Sequence, residues 1–150
     1  EIAPDAGGTG YAITRRYYDM DGQEVSLDAV ETGTRLVTVL TVTPFEAGEA
    51  RLMINDPLPA GLEIDNPNIL RGGDIRSLDW LDTAYPEHTE FRADRFLAAV
   101  DWRNDRPFDL AYIVRAVSPG AYHHPAASVE DMYRPAYRAI TATGRMSVSE

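Results

Sequence analysis

The chain has 150 residues, 44% of them hydrophobic and 25% charged, with a formal net charge of −10 and a pI near 4.7. That length and composition support one domain with its own core, and the acidic surplus repels phosphate, which argues against nucleic acid as a partner. Cysteine is absent, so disulfides, thiolate metal sites and a cysteine nucleophile are excluded.

All fourteen basic residues are arginine, a bias of composition or habitat rather than a functional signal. No apolar run nears the about 18 residues of a membrane helix, so direct insertion into a bilayer is not expected. There is no initiator Met and no signal peptide at Glu1. The opening "EIAPDAGGTG" reads as a piece of a longer polypeptide cut at a flexible linker. Residues 1–9 are assigned to that linker and residues 10–150 to a single domain.

Tyr11 to Tyr18 form a β-rich run, and Asp21-Gly22 then supplies a tight turn. Arg35 to Thr43 is the strongest predicted strand. Val37 and Val39 point to one face, Leu36 and Leu40 to the other. Apolar on both faces, it is expected to be central and covered on both sides. Pro44 ends it, since proline cannot donate to a ladder. In "ARLMINDPLPAGLEI", Leu52 and Ile54 share a face, and the turns at Asp56-Pro57 and Pro59-Ala60-Gly61 lead to a short strand. The stretch from Asp65 to Glu90 is turn-rich, with a brief helical turn predicted near Asp82 to Tyr85. In "FRADRFLAAVDW", Phe96, Ala98, Val100 and Trp102 share one side. In the next strand Phe108, Leu110, Tyr112 and Val114 face inward, with Asp109 and Arg115 opposite. Ser118-Pro119-Gly120 turns the chain into a loop over residues 121 to 139, with a helical turn predicted at Ser128 to Met132. "GRMSVSE" reads as a last strand. No segment of ten or more residues holds a helical period. The fold class is therefore all-β, an antiparallel β-sandwich with at most one or two short helical turns.

Signals for catalysis are weak. "DMDGQE" has the flavour of a calcium loop, but Gly22 follows the second Asp directly, which fits a hairpin turn rather than an EF-hand. His123 and His124 are neighbours on an extended chain and point apart, and His88 stands alone in a polar loop, so no metal and no other cofactor is expected. Asp74, Asp79, Asp82 and Glu87 cluster in sequence. They leave open a glycosidase-type enzyme only if two of them are held roughly 5–10 Å apart. Scattered loop acids in an acidic protein are otherwise solvated surface. The serines sit in no nucleophile elbow, and Gly72-Gly73 lacks the lysine of a phosphate loop. Trp80, Trp102 and Tyr112 are expected to fill the core or its margin.

"VEDMYRPAYRA", residues 129–139, stands out because tyrosine and arginine favour protein contacts. Pro125, Pro135 and Ala126-Ala127 make this region stiff, and stiffness lowers the entropy lost on docking. Two readings stay open on residue types alone. Met132 and Tyr133 either fold back over an end of their own sandwich or present an interface.

Four stretches together carry a resemblance: "GYAITRRYYDMDG", "VETGTRLVTVLTVTP", "INDPLPAGLEIDNPNI" and "DLAYIVRAVSPGAYHHPAASVEDMYRPAYRA". In that order, from about Gly10 to Val148, they resemble the C-terminal macroglobulin-like domain of bacterial alpha-2-macroglobulins. The last stretch is the most specific. The resemblance implies a non-catalytic β-sandwich, macroglobulin-like or receptor-binding-like, in a long periplasmic protease inhibitor with an N-terminal lipid anchor. Such proteins present a bait to proteases, and many capture the attacker through an internal thioester. The implied partners are the thioester domain and neighbouring macroglobulin-like domains of the same chain, and target proteases through the parent. Carried onto this chain, the loop that shields the thioester would be Met132 and Tyr133, supported by Arg134, Pro135 and Tyr137. The alternative is an adhesin-like or stalk β-domain that spaces other modules. A lock, unlike a spacer, should expose a contiguous apolar patch.

Overall fold

A computed structural model describes residues 6–150. In chain order its strands are β1 (Gly7–Thr9), β2 (Tyr11–Tyr18), β3 (Glu24–Val25), β4 (Val30–Glu31), β5 (Arg35–Pro44), β6 (Ala50–Pro57) and β7 (Leu62–Asn66). They continue with β8 (His88–Phe91), β9 (Arg95–Trp102), β10 (Phe108–Ala116), β11 (Gly120–His124), β12 (Ser128–Asp131), β13 (Arg138–Ile140) and β14 (Gly144–Ser149). A five-stranded sheet runs β3-β2-β5-β10-β7, a six-stranded sheet β1-β13-β12-β6-β9-β8, and a three-stranded sheet β11-β14-β4. Pairing is antiparallel except between β14 and β4 and at a lone bridge from Thr83 to Asp109. The predicted antiparallel sandwich is the observed fold.

The alternation that defines the strands also builds the core. Leu36, Leu40 and Val42 of β5 meet Leu52 and Ile54 of β6, Phe96, Ala98 and Val100 of β9, and Phe108, Leu110, Tyr112 and Val114 of β10 in one cluster. Fully burying a side chain of this size is worth roughly 1.5–3 kcal/mol. Val37 and Val39, on the other face of β5, join Ala111 and Ile113 in a second cluster capped by Leu70, Leu78 and Leu81. The central strand is covered on both sides, as its two apolar faces require, and the turn-rich segment after β7 supplies the outer cover.

Four local expectations are corrected. The helical turn lies at Arg76–Leu78, not at Asp82 to Tyr85. There the backbone is held extended against β10, with the Asp109 N–H donating to the Asp82 carbonyl at 2.8 Å and the Ala84 N–H to the Asp109 carbonyl at 3.1 Å. Residues 121–139 are not one loop, since β12 and most of β11 and β13 lie within them. Ser128 to Asp131 is strand rather than helical turn, because β6 and β13 flank it and take its hydrogen bonds. Trp80 is 45% exposed, whereas Tyr112 is buried and Trp102 packs at the margin of the core. The linker expected at residues 1–9 begins outside the described residues, and within them Gly7–Thr9 pairs with β13.

One polar assembly crosses the interior. Arg15 of β2 is ion-paired to Asp56 of β6 at 2.5 Å, with both side chains nearly inaccessible. Asp56 also accepts the Tyr112 hydroxyl, and Arg15 donates to the Pro125 carbonyl. Tyr17 Oη lies 2.8 Å from His124 Nε2 on β11. Burial pushes the Asp56 carboxyl above its ordinary range, against the pull of Arg15 and the Tyr112 hydroxyl. Burial also raises Tyr17 and Tyr112, so both stay protonated. The bridge ties strands of all three sheets together.

Candidate functional site

The hairpin between β12 and β13 carries the sequence-predicted residues, and Asp131 organises it. This last residue of β12 is wholly buried. Its Oδ1 accepts the Tyr133 N–H at 2.9 Å, the short-range capture that makes Asp a turn former. Its Oδ2 accepts the Tyr11 hydroxyl at 3.0 Å and Arg134 Nε–H at 3.4 Å. Burial and Asp131 together push the Tyr11 hydroxyl up to about 12, so it remains a donor.

The backbone is equally accounted for. Asp131 N–H donates to the Tyr137 carbonyl at 3.0 Å, Met132 N–H to Arg51 at 2.7 Å, Arg134 N–H to Asp131 at 3.2 Å and Tyr137 N–H to Arg134 at 2.8 Å. With Tyr133 bonded to the carboxylate, every N–H from Asp131 to Arg134 has a partner. Pro135 has no N–H to satisfy and stiffens the turn. Arg134 lays its guanidinium 4.4 Å from the Tyr137 ring centre and reaches Glu46 at 3.2 Å. Tyr137 packs on Gly10, whose φ of +78° and lack of a Cβ are both needed, since a Cβ would sit 3.0 Å from Tyr137 Cγ.

The frame turns two side chains outward: Met132 is 51% and Tyr133 59% exposed. Phe45, 61% exposed, stands on the adjoining β5–β6 connection that Glu46 ties to Arg134. Met53, also exposed, is one diagonal step from Met132 on the outer sheet face, because Glu130 pairs with Met53 in the β12–β6 register. Apolar and aromatic groups thus gather at one end of the sandwich rather than folding back into it. Arg134 and Tyr137 are half-buried beneath them and Pro135 is exposed. The family resemblance points to Met132, Tyr133, Arg134, Pro135 and Tyr137, and one hairpin holds all five. Asp131, Tyr11, Gly10, Glu46 and Phe45 were missed. An Asp two residues before the Tyr133 N–H was the one readable signal among them.

Elsewhere the acids of the long connection are spread over its surface. Asp74 accepts the Arg71 N–H at 2.8 Å, Asp82 faces Arg106 at 3.3 Å, and Asp79 and Glu87 are exposed on the same long connection. "DMDGQE" is the β2–β3 turn, with Asp19 Oδ1 accepting the Asp21 and Gln23 N–H groups and Gly22 at φ +87°. His123 and His124 do point apart, the first exposed and the second inward. A groove of about 560 Å3 lies along β1, β12 and β13, lined by Gly7, Gly8, Ser128, Glu130, Arg138 and Ile140. Among the described residues, no helix is long and apolar enough to cross a membrane.

Comparison with known proteins converges on one family. Residues 10–136 match the model described as the bacterial alpha-2-macroglobulin MG10 domain. The alpha-2-macroglobulin of Xylella fastidiosa strain Temecula1 is 36% identical across 97% of this chain, and that of Escherichia coli K12 is 36% identical across 95%. The chain spans 9% of the length of either. Among solved structures, E. coli alpha-2-macroglobulin in its native conformation superposes with a TM-score of 0.86 at 34% identity, over 100% of this chain and 10% of that one. The same relative activated by porcine elastase gives 0.84 at 36%, over 100% and 14%.

Proposed function

Because the chain belongs to the MG10 domain family of bacterial alpha-2-macroglobulins, we propose that it is a non-catalytic domain of a bacterial protease inhibitor. In this reading the parent is periplasmic and lipid-anchored, and the Asp131–Tyr137 hairpin shields the thioester of a neighbouring domain until the bait is cut. One observation carries the reading: Met132 and Tyr133 are exposed while the backbone beneath them is pinned by a buried carboxylate. A surface already held in shape loses little entropy when it docks. Apolar and aromatic atoms can occupy the space an attacking water would need.

The energetics suit a lock that must also open. Burying Met132, Tyr133 and Phe45 would supply about 1.5–3 kcal/mol each at most, enough to favour a closed arrangement and little enough for bait cleavage to reverse it. The near-equal match to a native and a protease-activated relative supports a domain that moves as a rigid body. A spacer, the alternative reading, has no use for a pinned hairpin with two outward apolar side chains.

The test uses the full-length protein. Tyr133→Ala and Met132→Ala should each hasten spontaneous loss of thioester reactivity toward methylamine before any protease is added. Unchanged decay in both variants counts against shielding.

A further inference from the structure

Exposed aromatic residues also stand over the five-stranded sheet. The segment covering the five-stranded sheet buries Leu70, Leu78 and Leu81 but leaves Trp80 45% and Tyr85 72% exposed. Trp80 tilts against Tyr18 at 5.3 Å. Arg16 caps the pair, its guanidinium 5.9 Å from the Tyr18 ring and 5.7 Å from Trp80. Arg71 lies 4.8 Å from the Tyr85 ring.

The arginines here are also unspent. Of fourteen arginines in a chain of net charge −10, nine face a carboxylate: Arg15, Arg35, Arg51, Arg92, Arg95, Arg103, Arg106, Arg115 and Arg134. Among the described residues the other five have none, and three of those five, Arg16, Arg71 and Arg76, lie exposed on this face, the remaining two being Arg138 and Arg145. On the covering segment Asp74 accepts the Arg71 N–H, Asp82 faces Arg106, and Asp79 is exposed beside Trp80. A guanidinium stacked on an exposed ring keeps its in-plane N–H fork free for a carboxylate. Tryptophan, tyrosine and arginine together are the residues that dominate interfaces.

We propose that Arg16, Trp80, Arg71 and Tyr85 form a second docking surface, and that its occupant is a carboxylate-bearing face of another domain of the same polypeptide. Charge sets the chemistry of the partner, since three unpaired guanidiniums on an acidic domain fit an acidic surface. The amount of chain outside this segment sets its source, since the segment spans 9% of its curated relatives. The surface is separate from the hairpin. Tyr11 marks the hairpin end of β2 and Tyr18 the Trp80 end, about 23 Å apart at ~3.3 Å per residue. The proposal depends on family membership and not on shielding.

The test places p-benzoylphenylalanine at position 80 of the full-length protein and irradiates it. The expected product is an intramolecular cross-link to an Asp- or Glu-rich peptide from outside residues 1–150. Arg16→Glu in that background should lower its yield by about an order of magnitude. With the native Trp80, Arg16→Glu should increase acrylamide quenching of this indole, read against a Trp80→Phe control. Cross-links only between two copies, only within residues 1–150, or none at all would overturn the proposal, as would quenching unchanged by Arg16→Glu. A Tyr133→Ala protein that loses thioester protection should keep the cross-link.

Discussion

Asp56 and Asp131 keep the same company in two different places. Each is buried, each accepts a tyrosine hydroxyl, from Tyr112 and Tyr11 respectively, and each faces an arginine. They differ in that arginine. The Arg15 side chain is 3% exposed and that of Arg134 is 40% exposed. The inner set joins strands of facing sheets and has no water to fall back on. The outer set also crosses between sheets, from Tyr11 on β2 to Asp131 on β12, but it shapes the hairpin as well, and its cation is half in solvent. The same three residue types therefore make a dry bridge between sheets in one case and, in the other, a half-solvated bridge that also fixes a hairpin.

The largest expected effect tests the inner set. Asp56→Ala or Arg15→Ala should each cost about 3–5 kcal/mol in urea unfolding, because each strands a buried charge. The double variant Arg15→Met with Asp56→Leu should cost far less than the sum of the single ones. Additive losses would show that the two residues act independently.

Asp131→Ala should cost less, about 1–3 kcal/mol for donors left unsatisfied, and amide exchange at Met132, Tyr133 and Arg134 should accelerate. Asp131→Asn keeps an acceptor for the Tyr133 N–H and should fall between Ala and wild type. A loss at Asp131→Ala equal to that at Asp56→Ala would erase the distinction between the sets.

A milder effect concerns pH. Burial, then Arg15, then His123 hold His124 down at about 3, against an ordinary value of 6.5. Below pH 6.5 the unfolded chain takes up a proton that the folded imidazole refuses. This group's contribution to stability is therefore present above about 6.5 and lost progressively as pH falls to about 3. Partial solvation tempers its size. His124→Phe should flatten the fall in the urea midpoint between pH 7 and 4, and an unchanged slope would place the acid sensitivity elsewhere. Smallest of all, Tyr133→Ala and Met132→Ala should leave the stability of the domain within about 0.5 kcal/mol.

The contrast also explains what could be read in advance. β2, β5, β6, β9 and β10 were legible because burial on one or both faces leaves a period-2 or fully apolar trace. β12 and β13 are short, flanked by proline and alanine, and contribute Val129 and Ala139 as their wholly buried apolar residues, too few to make a pattern. Arg15 hid in plain sight. Tyr11, Ile13, Arg15 and Tyr17 share the inward face of β2, but an arginine at an inward position looks like surface until its aspartate on another strand is known. The hairpin drew notice by its tyrosines and arginines, and the resemblance supplied its set of residues. The carboxylate that positions them was missed, because it works by being buried, and burial of a lone acid leaves no periodic mark. Trp80 was misplaced for the opposite reason, since size alone argued for the interior.

The parallel ladder between β4 and β14 has a consequence in time. Thr32 donates both its N–H and its hydroxyl to the Ser149 carbonyl, 117 positions later in the chain. Closing a loop of that length costs entropy before any contact rewards it, so this ladder should form after the local hairpins. Until it does, β4 keeps an unpaired edge open to the wrong neighbour.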